Sequence, residues 1–66
     1  MNAYEFVAHA RANNFTAAQV RKQFPGLPGA ICQELLTGTA YIDHINPDGS
    51  VVIDDGVITM PWNVGQ

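Results

Sequence analysis

From Ala3 to Leu36 the apolar residues recur at helical spacing, and from Tyr41 to Met60 they alternate as in strands. Ala3, Phe6, Val7 and Ala10 follow the i, i+3, i+4, i+7 rhythm of one buried helix face. Asn2 precedes them with a side chain able to accept a first-turn amide, and Glu5 can reach back to the Asn2 amide as in a capping box. Asn13-Asn14 closes the element, because asparagine tolerates the left-handed backbone. A second helix starts at FTAAQV, with Thr16 as cap, Gln19 as its reciprocal partner, and Phe15 and Val20 as a hydrophobic staple. Val20 and Phe24 share a face, and Pro25 stops the helix at Phe24 by disfavouring the helical conformation of its predecessor. After the tight turn PGLP, Pro28 fits a first helical position, where a missing amide hydrogen costs nothing. Leu27, Ile31, Cys32, Leu35 and Leu36 then form the inward stripe of a third helix, which Gly38 ends.

Turn chemistry organises the remainder. Asn46-Pro47-Asp48-Gly49 suits a type I turn followed by a left-handed glycine, joining strands near Tyr41–Ile45 and Ser50–Asp54. Asp55-Gly56 is a two-residue hairpin signal leading to Val57–Met60, which either joins the sheet or trails as a tail. Pairing Asn46 with Ser50 and Asp54 with Val57 gathers Tyr41, Ile45, Val51, Ile53, Ile58 and Met60 on one face, the expected core side. A one-residue slip would scatter that set. Asp43 is the misfit on it. The opposite face holds Ala40, Ile42, His44, Val52, Val57 and Thr59, which is apolar enough to call for a cover, either the MPWNVGQ tail with Trp62 or another chain. The expected architecture is α+β: three short helices followed by a β-hairpin or a three-stranded antiparallel meander, in one domain over residues 1–66 with 61–66 as a C-terminal tail.

Sixty-six residues support one small core, and 47% of them are apolar, enough for a folded chain. The single Cys32 forms no internal bridge and fits a reducing compartment. The start MNAYEFVAHARANN lacks the pattern of a signal peptide, and no stretch approaches the roughly 20 apolar residues of a membrane span. A cytoplasmic location is the expectation. Six acids against Arg11, Arg21 and Lys22 leave a net charge of −3, which opposes long-range attraction to nucleic acid or anionic lipid.

FTAAQVRKQF, PGLPGAICQELLTG and YIDHINPDGSVVID together resemble a winged helix-turn-helix domain over about Asn2 to Asp54. The resemblance implies a third helix that enters the major groove, a hairpin wing that touches the flanking backbone, and a regulatory role. This chain departs from that family in charge. With Leu27, Ile31, Leu35 and Leu36 inward, helical geometry turns Gly29, Ala30, Gln33, Glu34 and Thr37 outward. Gln33 suits an adenine edge and Thr37 a phosphate, but Glu34 beside them and Asp48 in the wing would face a row of negative charge. Arg11, Arg21 and Lys22 are the phosphate contacts that a DNA-binding reading requires. The plainer reading of Arg21 and Lys22 is a solvated outer face.

No catalytic constellation emerges. His9, His44 and Cys32 fall at no ligand spacing, Cys32 lies on the inward stripe, and His44 reads as a surface histidine. Asp48, Asp54 and Asp55 depart from the order of an EF-hand loop and are explained by turns. Asn14-Phe15-Thr16 matches a glycosylation sequon, but Thr16 is needed as a cap. No Gly-rich phosphate loop is present, and no cofactor or small-molecule substrate is expected. Two function classes follow. One is a non-catalytic protein-binding module, an acidic adaptor or inhibitor whose size and charge resemble the accessory proteins of phages and mobile elements. It would contact another protein or a second copy through Ile42, His44, Val52, Val57, Thr59 and Trp62 on the outer sheet face, or through Ala30, Gln33, Glu34 and Thr37 on helix three. The alternative is a dimeric DNA-binding regulator.

Overall fold

The structure, a computed structural model, describes residues 1–65; Gln66, the last residue of the expected tail, lies outside them. Helices α1 (Ala3–Ala12), α2 (Ala17–Gln23) and α3 (Gly29–Thr37) precede strands β1 (Tyr41–Ile45), β2 (Val51–Asp54) and β3 (Thr59–Trp62). The strands form one antiparallel sheet in the order β1-β2-β3, so the architecture is α+β with a complete meander.

Local chemistry accounts for the helix boundaries. Asn2 Oδ1 accepts the Glu5 amide at 2.9 Å, while Glu5 Oε1 accepts the Asn2 amide at 3.0 Å. At α2, Thr16 Oγ1 accepts from Gln19 N at 3.2 Å and Gln19 Oε1 from Thr16 N at 2.7 Å. Each reciprocal pair satisfies first-turn amides that the helix itself leaves free. Between the two helices Asn14 takes φ 54°, the left-handed conformation that asparagine tolerates. Pro28 is the cap of α3, with φ −60° and extended ψ 149°, one position before the expected one. Its fixed φ suits either place. Gly38, at φ 90°, closes α3 and donates its amide to Glu34 O at 2.9 Å.

Val20, Phe24, Leu27, Cys32 and Leu35 from the helical half meet Val51 and Ile53 of the central strand, with Ala10 and Ala40 filling the gaps. The Phe6 ring meets Phe24 edge-on at 5.0 Å and Phe15 at 6.2 Å, the offset that aromatic quadrupoles favour.

The sheet departs from strict alternation at Asp43. Ile42 pairs with Ile53 and Ile45 with Val51, but His44 pairs with Val52, leaving Asp43 as an extra residue in a β-bulge. A bulge shifts the side-chain alternation by one residue. Ile42 and Ile45 therefore both turn towards the core, while Tyr41, expected inside, is 53% exposed. The bulge also removes the misfit, since Asp43 is exposed. Burying an unpaired carboxylate there would cost several kcal/mol. Ala40, expected outside, is fully buried.

The second hairpin pairs Asp54 with Thr59, not with Val57. Asp55 Oδ1 accepts the amides of Val57 and Ile58 at 2.9 Å each, and Asp55 N donates to Ile58 O at 3.2 Å, which closes a wider loop. A two-residue shift preserves the faces. It nonetheless moves Val57 and Ile58 out of the ladder and brings Pro61 and Trp62 into it. Trp62 pairs with Val51 and packs against the core, so it covers the inner side and not the outer one. Beyond β3, Val64 O accepts from Gly26 N at 3.1 Å and ties this segment to the turn between α2 and α3.

Candidate functional site

α1 carries two stripes at the same helical spacing, offset by one residue. Ala3, Phe6, Val7 and Ala10 face the core. Tyr4, Val7, Ala8 and Arg11 line a shallow groove of about 190 Å³, whose other wall is Tyr41 and Ile42 of β1. Drug-sized ligands occupy sites of about 300–1,000 Å³. This groove is smaller than that.

Its walls are held by hydrogen bonds. Arg11 Nε donates to Leu35 O at 2.8 Å, near the C-terminal end of α3, where a cation is favoured by the helix dipole. The bond fixes a side chain that also lines the groove. Tyr41 Oη donates to Asp54 Oδ2 at 2.8 Å across the β1–β2 pair, and Tyr4 Oη reaches Asp43 O at 3.5 Å. The bond to Asp54, reinforced by its charge, raises the Tyr41 pKa above the ordinary value. Asp54 shifts down in turn, chiefly because Gly56 N donates to it and then because Tyr41 does.

The outer sheet face is smaller than its sequence suggests. Val52 is only 7% exposed, between His44 and Pro61 on the neighbouring strands. His44 is exposed, with Nδ1 2.8 Å from Asp43 Oδ2. Thr59 is exposed at the start of β3. Val57, 89% exposed, lies in the loop beside Ile58, which is 53% exposed. The structure thus disperses the expected patch: Ile42 and Trp62 turn inward, Val52 is covered, and Val57 projects from a hairpin tip.

On α3, Ala30, Gln33 and Thr37 are exposed and Glu34 is partly buried. Thr37 Oγ1 is engaged with Glu34 O at 3.3 Å and Thr39 Oγ1 at 3.1 Å. Arg21 Nε donates to Leu27 O at 3.0 Å, so Arg11 and Arg21 are both anchored to backbone carbonyls, whereas Lys22 makes no side-chain hydrogen bond among the described residues.

Charge is segregated along the chain. No Lys or Arg follows Lys22, while Glu34, Asp43, Asp48, Asp54 and Asp55 all do. Hydrogen bonds hold three of these aspartates ionised. Ser50 donates through its hydroxyl at 2.7 Å and its amide at 2.9 Å to Asp48 Oδ1 and lowers that pKa. The amides of Ile58 and then Val57 lower that of Asp55.

The groups capable of covalent or metal chemistry are not gathered. Cys32 is fully buried, and desolvation pushes its thiol up. His9 is on α1, where its ring meets Phe15 edge-on at 5.4 Å, far in sequence from His44 on β1. Among the described residues no group of three His, Cys, Asp or Glu side chains is placed to hold a metal ion, and no helix is long and apolar enough to cross a membrane. No family model, curated protein or solved structure matches the chain.

Proposed function

We propose that this chain is a non-catalytic protein-binding module of the cytoplasm, an acidic adaptor or inhibitor built on a winged-helix plan with β1–β2 as the wing. The observation that carries the reading is the sheet's charge. Its two hairpins bear Asp43, Asp48, Asp54 and Asp55 with no Lys or Arg, and hydrogen bonds keep Asp48, Asp54 and Asp55 ionised. A wing that gripped duplex would bring cations to phosphate, because neutralising phosphate and releasing counterions supply most non-specific affinity. Here the wing tip would bring Asp48. The α3 face supports the same reading, since Ala30, Gln33, Glu34 and Thr37 offer no cation.

Partner recognition then falls to exposed apolar and aromatic side chains, a few of which can supply most of an interface's affinity. Tyr4, Tyr41, Val57 and Ile58 are such residues. The deciding experiment is duplex retention. Micromolar protein at roughly 150 mM salt should leave random and genomic fragments unshifted. A shift that weakens steeply with added salt would replace this reading with the DNA-binding one.

A further inference from the structure

Leaving aside the terminal Met1, the large exposed apolar residues are Tyr4, Tyr41, Val57 and Ile58. Tyr4 and Tyr41 line the groove between α1 and β1, and Tyr41 is bonded to Asp54, one residue before the Asp55–Ile58 loop begins. The groove presents mainly apolar walls, with Arg11 as the one charged residue among those that line it. An occupant that satisfies it carries a branched apolar side chain next to a carboxylate. The Asp54-Asp55-Gly56-Val57-Ile58 loop of this same chain has that chemistry, and within one molecule it points Val57 into solvent at 89% exposure.

We propose that the occupant is a second copy of the chain, each copy seating its Val57–Ile58 tip in the other's Tyr4/Tyr41 groove. Because the Tyr41–Asp54 bond links the groove wall to the base of the loop, a two-fold axis between tip and groove brings both pairs together at once, an isologous arrangement. It sets Arg11 of each copy towards Asp54 and Asp55 of the other. Exposed ion pairs of this kind contribute little affinity, but they fix register and reject like-charged partners. The hydrogen bonds of Arg11 and Tyr41 already hold the groove walls, so little side-chain freedom is lost on docking. Pairing through a sheet edge is disfavoured at both ends, by the Asp43 bulge in β1 and by Pro61 in β3.

This proposal goes beyond the protein-binding reading, and the two fail separately: a monomer refutes the self-pairing alone, whereas salt-dependent duplex retention refutes the module. The test is sedimentation equilibrium of the intact chain. A contact this small belongs to the weak class, so the mass should climb from 7.1 kDa towards twice that value as concentration rises from about 1 µM to about 1 mM. Val57→Asp on the tip and Ala8→Arg on the exposed groove rim should each keep the helical circular dichroism signal and stay monomeric throughout. An equimolar mixture of the two variants should dimerise again, because the intact tip of one meets the intact groove of the other while the introduced carboxylate faces the introduced guanidinium. The proposal is overturned by a wild type that remains at 7.1 kDa, which leaves the groove to a different polypeptide. A dimer indifferent to both substitutions, or one that mixing does not restore, overturns it equally.

Discussion

Ile42→Ala discriminates between the bulged sheet and a strictly alternating one. Strict alternation puts Ile42 on the outer face, where truncation changes stability by no more than about 0.5 kcal/mol. The bulge instead pairs Ile42 with Ile53 and packs it, partly buried, against the core. The substitution removes three carbon groups worth about 0.8 kcal/mol each when fully buried, which partial burial brings down to about 2 kcal/mol. A domain of this length has roughly 3–10 kcal/mol in total, so the variant still folds. Urea titration followed by circular dichroism measures the difference. With a slope near 1 kcal/mol per molar, the midpoint should fall by about 2 M, and the melting temperature by roughly 8–16 °C. Asp43→Ala is the control: the exposed Asp43–His44 pair contributes little, so its midpoint should barely move. An Ile42→Ala loss below about 0.5 kcal/mol would refute the bulged register.

Three further outcomes follow from the geometry. Thr16→Ala should cost about 1 kcal/mol through the lost α2 cap. Combined with Gln19→Ala the cost should be less than additive, and strict additivity in a double-mutant cycle would contradict the reciprocal bonds. Asp48, Asp54 and Asp55 have folded pKa values below their unfolded value near 3.9, so their stabilisation is complete above about pH 5 and is lost as pH falls through the lowered values. Denaturation midpoints should be flat from pH 7 to about 5 and decline below about 4, less steeply for Asp55→Asn; a wild-type midpoint that held constant to about pH 2 would contradict this. Buried and with a raised pKa, Cys32 should resist alkylation in the folded chain and react readily in urea, as mass spectrometry of quenched samples can follow. Rapid labelling without denaturant would place the thiol outside the core.

The charge arrangement has a structural origin. Asp48, Asp54 and Asp55 close the two hairpins by accepting backbone amides, so the turns that build the sheet also make it acidic. Removing those carboxylates to admit a polyanion would loosen both hairpins.

What could be read without coordinates was whatever depends on neighbours in sequence. The Asn2/Glu5 and Thr16/Gln19 boxes, the Gly38 stop and the Asn46–Gly49 turn are contacts across two to four residues, and each formed as its residues require. The α1 groove stripe was legible in part, because Tyr4, Val7, Ala8 and Arg11 keep helical spacing, but it was hidden beside the core stripe that shares Val7. The bulge at Asp43 and the Asp54–Thr59 register depended on tertiary packing. Alternation counts residues and cannot see that Ile42 and Ile45, three apart, both reach one core, or that Trp62 packs against it while Val57 is left in the loop. Those outcomes are decided by the volume that Val20, Leu27 and Leu35 leave to be filled, a property of the packed molecule and of no single segment.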